Sequence, residues 1–124
     1  MSRARSISFG RHTECGAVVA VLFDGEEYLY SVADGSRIHG PAQDEPAINV
    51  VGLGDLIGRD ALITGSAGGV VDVWDLAHHD RFVSLSLDDA ITDLALVTDD
   101  DSPIARLAVR TRAPADNFLE LVDP

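Results

Sequence analysis

A strand, a tight turn and a second strand recur along this chain, and that recurrence limits the folds open to it more than any other feature. The clearest copy is Asp60 to Leu76, DALITGSAGGVVDVWDL. Its flanks, Ala61 to Thr64 and Val70 to Trp74, are rich in β-branched and aromatic residues that suit a pleated, largely buried surface. Between them Gly65, Ser66, Ala67, Gly68 and Gly69 supply the positive φ angles that a tight hairpin requires. Setting AVVAVLFDGEEYLYSVADGSRIHGP, from Ala17, over ALITGSAGGVVDVWDLAHHDRFVSL, from Ala61, matches apolar to apolar residues. It also matches Asp24-Gly25 to Gly68-Gly69 and Tyr30 to Trp74, at an offset of 44 residues. The same step lands on Ala105, which opens another strand, turn and strand in ARLAVRTRAPADNFLELVDP. The chain therefore contains about three copies of one unit.

The segments around these hairpins also read as strands. Arg5 to Gly10 alternates polar and apolar residues, with Ile7 and Phe9 on one face, and Gly16 to Phe23 and Glu26 to Val32 flank Asp24-Gly25, a strong hairpin signal. A short strand, Arg37 to His39, ends at Gly40-Pro41. The next copy runs through Ile48 to Leu53, a loop Gly54 to Asp60, the central hairpin and Arg81 to Leu87, where Phe82 is out of register with Val83, Leu85 and Leu87. In the last copy Ile91 to Val97 aligns with the strand from Ile48 at an offset of 43, and strands Ile104 to Arg110 and Phe118 to Val122 follow. Eleven short strands at roughly ten-residue spacing, without helical periodicity, predict an all-β protein.

Four antiparallel strands in each unit of about 44 residues is the size of a β-propeller blade. The expectation is a single segment over residues 1–124 with about three blades, at residues 4–41, 47–87 and 90–124, the last lacking its fourth strand. A chain of this length is one domain by default.

At Ser66 to Leu76, SAGGVVDVWDL, the sequence resembles the WD-repeat family. Blades of that family carry a Ser, a tight turn usually written Asp-Gly, alternating apolar residues, and Trp-Asp near the end of the third strand. Here Ser66, Gly68-Gly69, Val71, Val73 and Trp74-Asp75 take those places. The resemblance implies a hydrogen-bond network joining a His, a Ser or Thr, the turn Asp and the Trp. Trp74 fits, with Ser66 or Thr64 as the hydroxyl, while Gly68 replaces the turn Asp and no Gly-His precedes Ile48. In the first copy Tyr30 stands for Trp, and in the third Phe118 does so. Trp74, Ser66, Gly68, Gly69 and Tyr30 are thus the structural residues that the resemblance marks. It also implies a rigid, non-enzymatic platform for protein partners.

Other candidate chemistry is weaker. His78-His79-Asp80 has metal-ligating residue types, but adjacent residues in a turn point apart and no third ligand is fixed. His12-Thr13-Glu14-Cys15 places a thiol near a base without an oxyanion-hole signature, so an inert Cys is favoured. Asp99-Asp100-Asp101 lacks the glycine and distal Glu of a calcium loop. No catalytic, cofactor or metal residue is assigned.

Charge narrows the partner. With 21 acidic residues against 9 basic ones, all Arg, the net charge is −12, which disfavours nucleic acid and anionic lipid. A lone Cys15 excludes an internal disulfide, and neither an apolar signal region nor a membrane-length apolar run is present, so the chain reads as cytoplasmic.

Blade geometry gathers the turns between second and third strands, and the connections between blades, on one face. That rim carries Asp24, Asp44, Glu45, Asp88, Asp89 and Asp116, which would steer a basic protein partner. The opposite rim also carries acids, at Asp55, Asp60 and Asp99 to Asp101, so a generally acidic surface is an equal reading.

Three blades form an arc with open ends. Self-association, with the N-terminal strand of one copy filling the missing outer strand of the other, would complete the ring. So would other blades of a larger propeller. The alternative of another class is a small all-β enzyme or ligand-binding domain with fortuitous repeat similarity.

Overall fold

The computed structural model describes residues 4–12, 14–23, 26–38, 48–56, 59–87, 89–97, 104–112 and 116–122. They form strands β1 (Ala4–His12), β2 (Gly16–Phe23), β3 (Glu26–Ser31), β4 (Arg37–Ile38), β5 (Ile48–Leu56), β6 (Arg59–Ser66), β7 (Val70–Asp75), β8 (Asp80–Ser86), β9 (Ile91–Val97), β10 (Ile104–Thr111) and β11 (Asp116–Val122). Every described pairing is antiparallel and joins strands consecutive in sequence. The result is a first sheet β1-β2-β3-β4, a second β5-β6-β7-β8 and a third β9-β10-β11. The fold is all-β, as its periodicity predicts. Among the described residues no helix is long and apolar enough to cross a membrane.

Strand side chains alternate between faces, so each sheet has two. In the second sheet both are covered. One face, called front here, carries Val51, Leu62, Trp74 and Leu76 and packs against Ala20, Leu22 and Leu29 on the back face of the first sheet. Its back face carries Val50, Ala61, Ile63, Val71 and Val73 and packs against Ile91, Leu107 and Val109 of the third. Two cores therefore flank one sheet, which is why every residue of β7 after Val70 is buried. Runs without strict alternation are what a strand buried on both faces requires.

Cross-strand registers show which residues occupy equivalent places. Across the front face of the second sheet Leu53 pairs with Leu62, Leu62 with Trp74 and Trp74 with Arg81. Across the first, Phe9 pairs with Val19, Val19 with Tyr30 and Tyr30 with Arg37. Tyr30 thus stands where Trp74 stands. In the third sheet the matching row runs from Leu96 to Leu107 to Leu119. Leu119 therefore takes the tryptophan place, and Phe118, expected there, pairs with Ala108 in the neighbouring row. Turn lengths differ among the sheets, so a uniform step of 44 residues slips by one in some strands, and one residue of slip exchanges the faces.

Three further expectations change. The loop expected over Gly54 to Asp60 is not found at that length, because β5 runs to Leu56 and β6 starts at Arg59. Phe82 is out of register because of a bulge: Val73 pairs with Val83 but Trp74 with Arg81, leaving Phe82 between them. The N-terminal strand is not available to complete another sheet, since Ala4–His12 already pairs with β2 in its own.

The sheets are bound through polar contacts as well as apolar ones. Ser6 Oγ donates to the Val51 carbonyl at 3.4 Å and accepts from the Val51 amide at 3.3 Å, while Ser8 Oγ accepts from the Leu53 amide at 2.9 Å. Asn49 Nδ2 donates to the Ile91 carbonyl at 3.2 Å. Glycine permits the close approach where side chains would collide. A Cβ on Gly65 would lie 2.5 Å from Ile91 Cγ2.

Candidate functional site

Antiparallel order sends the β2–β3, β6–β7 and β10–β11 turns, with the connections between sheets, to one rim. Ser66 opens the β6–β7 turn, its Oγ accepting from the Val70 amide at 3.1 Å and its carbonyl from the Gly69 amide at 3.2 Å. Gly69 has φ +88, and a Cβ there would meet the Leu87 carbonyl and lie 2.8 Å from the Asp89 carbonyl oxygen. The Leu87 amide donates to the Gly69 carbonyl at 2.7 Å, so this turn is stitched to the connection that follows β8. Gly68 is exposed beside it.

Of the six rim acids, Asp24, Asp44, Glu45 and Asp88 lie outside the described residues, and Asp116 is described by its backbone only, opposite Arg110. Asp89 is partly buried. Its Oδ1 accepts from the Ala90 amide at 2.9 Å and lies 3.0 Å from Arg112 Nη2, and the Arg112 amide donates to the Ala90 carbonyl at 2.9 Å. The structure thus brings together the Gly69 turn, Asp89 and Arg112. Sequence reasoning placed no cation at this rim.

The other rim holds the β1–β2, β3–β4 and β7–β8 turns. His12 Nδ1 accepts from the Glu14 amide at 3.1 Å, and Cys15 is exposed in the turn beyond. His78 Nδ1 lies 3.1 Å from Asp75 Oδ2, and the Ala77 and His78 amides donate to Asp75 Oδ1 at 2.9 and 3.3 Å. Burial pushes the Asp75 carboxyl up, but the hydrogen bonds from the His78 ring and the two amides outweigh it and hold the group below its ordinary value. His79 takes φ 58, turning its backbone away from the strand path. Among the described residues no group of three or more His, Cys, Asp or Glu is placed to hold a metal. The expected calcium-type cluster, Asp99 to Asp101, lies outside the described residues.

Inside the stack a polar group sits on the front face of the second sheet. Thr64 pairs with Asp72, and Asp72 is 1% exposed with Arg81 Nη1 3.8 Å from its Oδ1. The Arg81 guanidinium also lies 5.5 Å from the Trp74 ring centroid. Thr64 Oγ1, both Asp72 oxygens and Trp74 Nε1 have no hydrogen-bond partner among the described residues. Trp74, 5% exposed, contributes by packing here, and the hydroxyl network implied for it is not formed by Ser66 or Thr64.

Two concave or apolar surfaces remain. The inner strands β1, β5 and β9 converge on a trough of about 230 Å³ lined by Ser6, Ser8, Val51, Gly52, Asp93 and Ala95 among others. The front face of the first sheet has no sheet over it among the described residues, leaving Ile7 56% and Phe9 72% exposed. At its edge the Arg37 guanidinium lies 4.5 Å from the Tyr28 ring centroid. Arg37 and Arg81 were missed by sequence reasoning. Each follows its aromatic, Tyr30 or Trp74, by seven residues, and that common spacing was a signal.

No family model and no curated protein matches this chain. Solved structures do. Against the Saccharomyces cerevisiae protein Sqt1 the TM-score is 0.70 at 11% identity, over 94% of this chain and 31% of that one. Against a chain of the mitotic checkpoint complex it is 0.63 at 18% identity, over 89% of this chain and 32% of that one. Against the computationally designed Ika8 protein it is 0.60 at 17% identity, over 92% and 36%. The chain spans about a third of the length of each. The likeness is one of fold, and it supports the propeller-like arrangement of antiparallel sheets.

Proposed function

We propose that this chain is a non-enzymatic protein–protein interaction scaffold made of WD-like propeller blades, at residues 4–41, 47–87 and 90–124 of a single domain. In this reading it acts in the cytoplasm as a homo-oligomer or as part of a larger ring. One observation carries the proposal: three antiparallel sheets stack face to face around two apolar cores, as in the propeller-like structures, and send their turns to two rims. Such a stack is stiff, so the rims hold side chains in fixed relation without needing a moving part. The described His12 and His78 side chains are engaged in closing turns, which supports a structural use for them over a catalytic one. The small-enzyme alternative treats the repeat as fortuitous, whereas the repeated Leu53, Leu62, Trp74, Arg81 and Phe9, Val19, Tyr30, Arg37 rows favour a real one.

The partner in this proposal is a basic protein surface, met by the rim of Asp24, Asp44, Glu45, Asp88, Asp89 and Asp116. Nucleic acid and anionic membranes are disfavoured partners at a net charge of −12. The test is capture of partners by the immobilised chain, followed by a hydrogen-exchange footprint of the complex. Protection of the Ser66–Gly69 turn, with binding that weakens severalfold on raising salt from about 0.1 to 0.5 M, is the expected result. A footprint on the Glu14 and His78 rim, or salt-independent binding, overturns the assignment of the rim.

A further inference from the structure

We infer that Thr64, Asp72 and Trp74 form a closed site for one ordered water molecule, on the front face of the second sheet beneath the first. The assignment goes beyond the scaffold reading and does not depend on it.

Four polar atoms carry the inference. Thr64 Oγ1, both carboxylate oxygens of Asp72 and Trp74 Nε1 are buried without a hydrogen-bond partner among the described residues. Thr64 and Asp72 are each 1% exposed, and Trp74 is 5% exposed. A polar group left dry and unpaired costs free energy, and ordered water satisfies buried polar groups where the chain itself does not. Register brings the three side chains together. Thr64 pairs with Asp72 across the strands, and Trp74 follows Asp72 by two residues, on the same face of β7. Opposed residues have Cβ atoms about 4.5–5.5 Å apart, and alternate residues of one strand lie about 6.5 Å apart. A molecule that makes hydrogen bonds of about 2.8 Å can span such separations.

The donors and acceptors select the ligand. Trp74 Nε1 can only donate, an ionised Asp72 carboxylate can only accept, and the Thr64 hydroxyl can do either. The occupant must therefore both accept and donate, as water does. A metal cation would meet an N–H donor on one side and the Arg81 guanidinium, 3.8 Å from Asp72 Oδ1, on the other. An anion would meet the carboxylate. The cover excludes larger molecules, since Ala20, Leu22 and Leu29 of the first sheet pack into the same cluster as Trp74 and are 0–2% exposed. Arg81, whose guanidinium also lies 5.5 Å from the Trp74 ring centroid, caps the group from the edge strand β8. The water accepts from Nε1–H, donates to Asp72 and takes Thr64 as its third partner, the usual number for a buried water.

Register also sets the second sheet apart. At the corresponding position the first sheet has Val21 opposite Tyr28, and the third has Val109 opposite Asn117. A hydroxyl and a carboxylate oppose each other at this place only on the sheet covered on both faces, where an unpaired polar group is least tolerated.

The experiment is a crystal structure of the full chain with ordered water resolved, repeated on crystals grown in rubidium chloride. The expected result is one density peak about 2.7–3.2 Å from Asp72 and from Thr64 Oγ1 or Trp74 Nε1, with no anomalous signal from rubidium. A direct hydrogen bond from Thr64 or Trp74 to Asp72, with no peak between them, overturns the proposal. A rubidium signal at the site does so too, by assigning a cation. In solution the single tryptophan gives one indole N–H resonance. Its cross-peak to water should have opposite signs in laboratory-frame and rotating-frame Overhauser spectra, which marks a held water and not proton exchange. Thr64→Val, which leaves the indole and Asp72 as partners, should keep that cross-peak. Its absence from the wild-type chain overturns the proposal, and its loss in Thr64→Val does so by tracing the signal to the hydroxyl proton. None of these readouts involves a protein partner, so the scaffold reading can fail while they succeed, and the reverse.

Discussion

Trp74 is held to the chain by contact alone. Its indole packs against the first sheet and under Arg81, and Nε1 has no acceptor among the described residues. Trp74→Ala should therefore lower stability by about 3–5 kcal/mol in chemical denaturation, and Trp74→Phe should cost much less, since no hydrogen bond to the chain is lost. Asp72 is the opposite case. A carboxylate this buried, with Arg81 Nη1 3.8 Å away, gains little from the pair against the cost of leaving water. Replacing both partners, Asp72→Leu with Arg81→Met, should raise stability by about 1–4 kcal/mol. Arg81→Ala alone should lower it by about 1–3 kcal/mol by leaving the carboxylate without that cation. Equal losses in the two variants would show that the pair is a net stabiliser. Asp72 was not legible in the sequence. Within VVDVWD it occupies the polar place of an alternating strand, and only the first sheet lying over that face turns it inward.

At the scale of strands and turns most of the architecture could be read directly, because β-branched runs and glycine-rich turns act locally. All eleven strands lie where alternation and turn chemistry predict, and even the Phe82 irregularity had a sequence signal. What failed was parity. Phe118 and Leu119 are both apolar, so composition could not say which one stands in register with Leu107, and the pairing of β10 with β11 decides it. The rim was legible as a place, whereas the Asp89–Arg112 pair depends on two connections meeting and carries no local signal. The β7–β8 turn makes a testable case of such closure. Asp75 sits below its ordinary pKa in the folded chain, so its contribution is present above the unfolded value of about 4 and is lost as pH falls through the depressed folded value. Asp75→Asn should remove that acid-dependent part of the unfolding curve, seen as a flatter stability profile below about pH 4.

For the whole molecule, stability rests on neighbours in a line. The first and third sheets each cover one face of the second, so neither can keep its inner face dry once the second opens, whereas the second loses only one cover if an end sheet frays. Amide hydrogen exchange should register this as a gradient. Val71–Asp75 should exchange only through global unfolding, and the two-residue β4 should exchange first. Uniform protection across the three sheets would contradict it. The double burial of β6 and β7 also bears on how the chain acquires its structure. Every sheet pairing is a hairpin between adjacent strands, so the loops that must close are short and each sheet can be searched within its own segment. The slow event is then the meeting of sheets, and the middle one, which shares in both meetings, is the natural nucleus. Mutations there should slow refolding, while those at Ile7 or Phe9 should leave the refolding rate of the single chain unchanged.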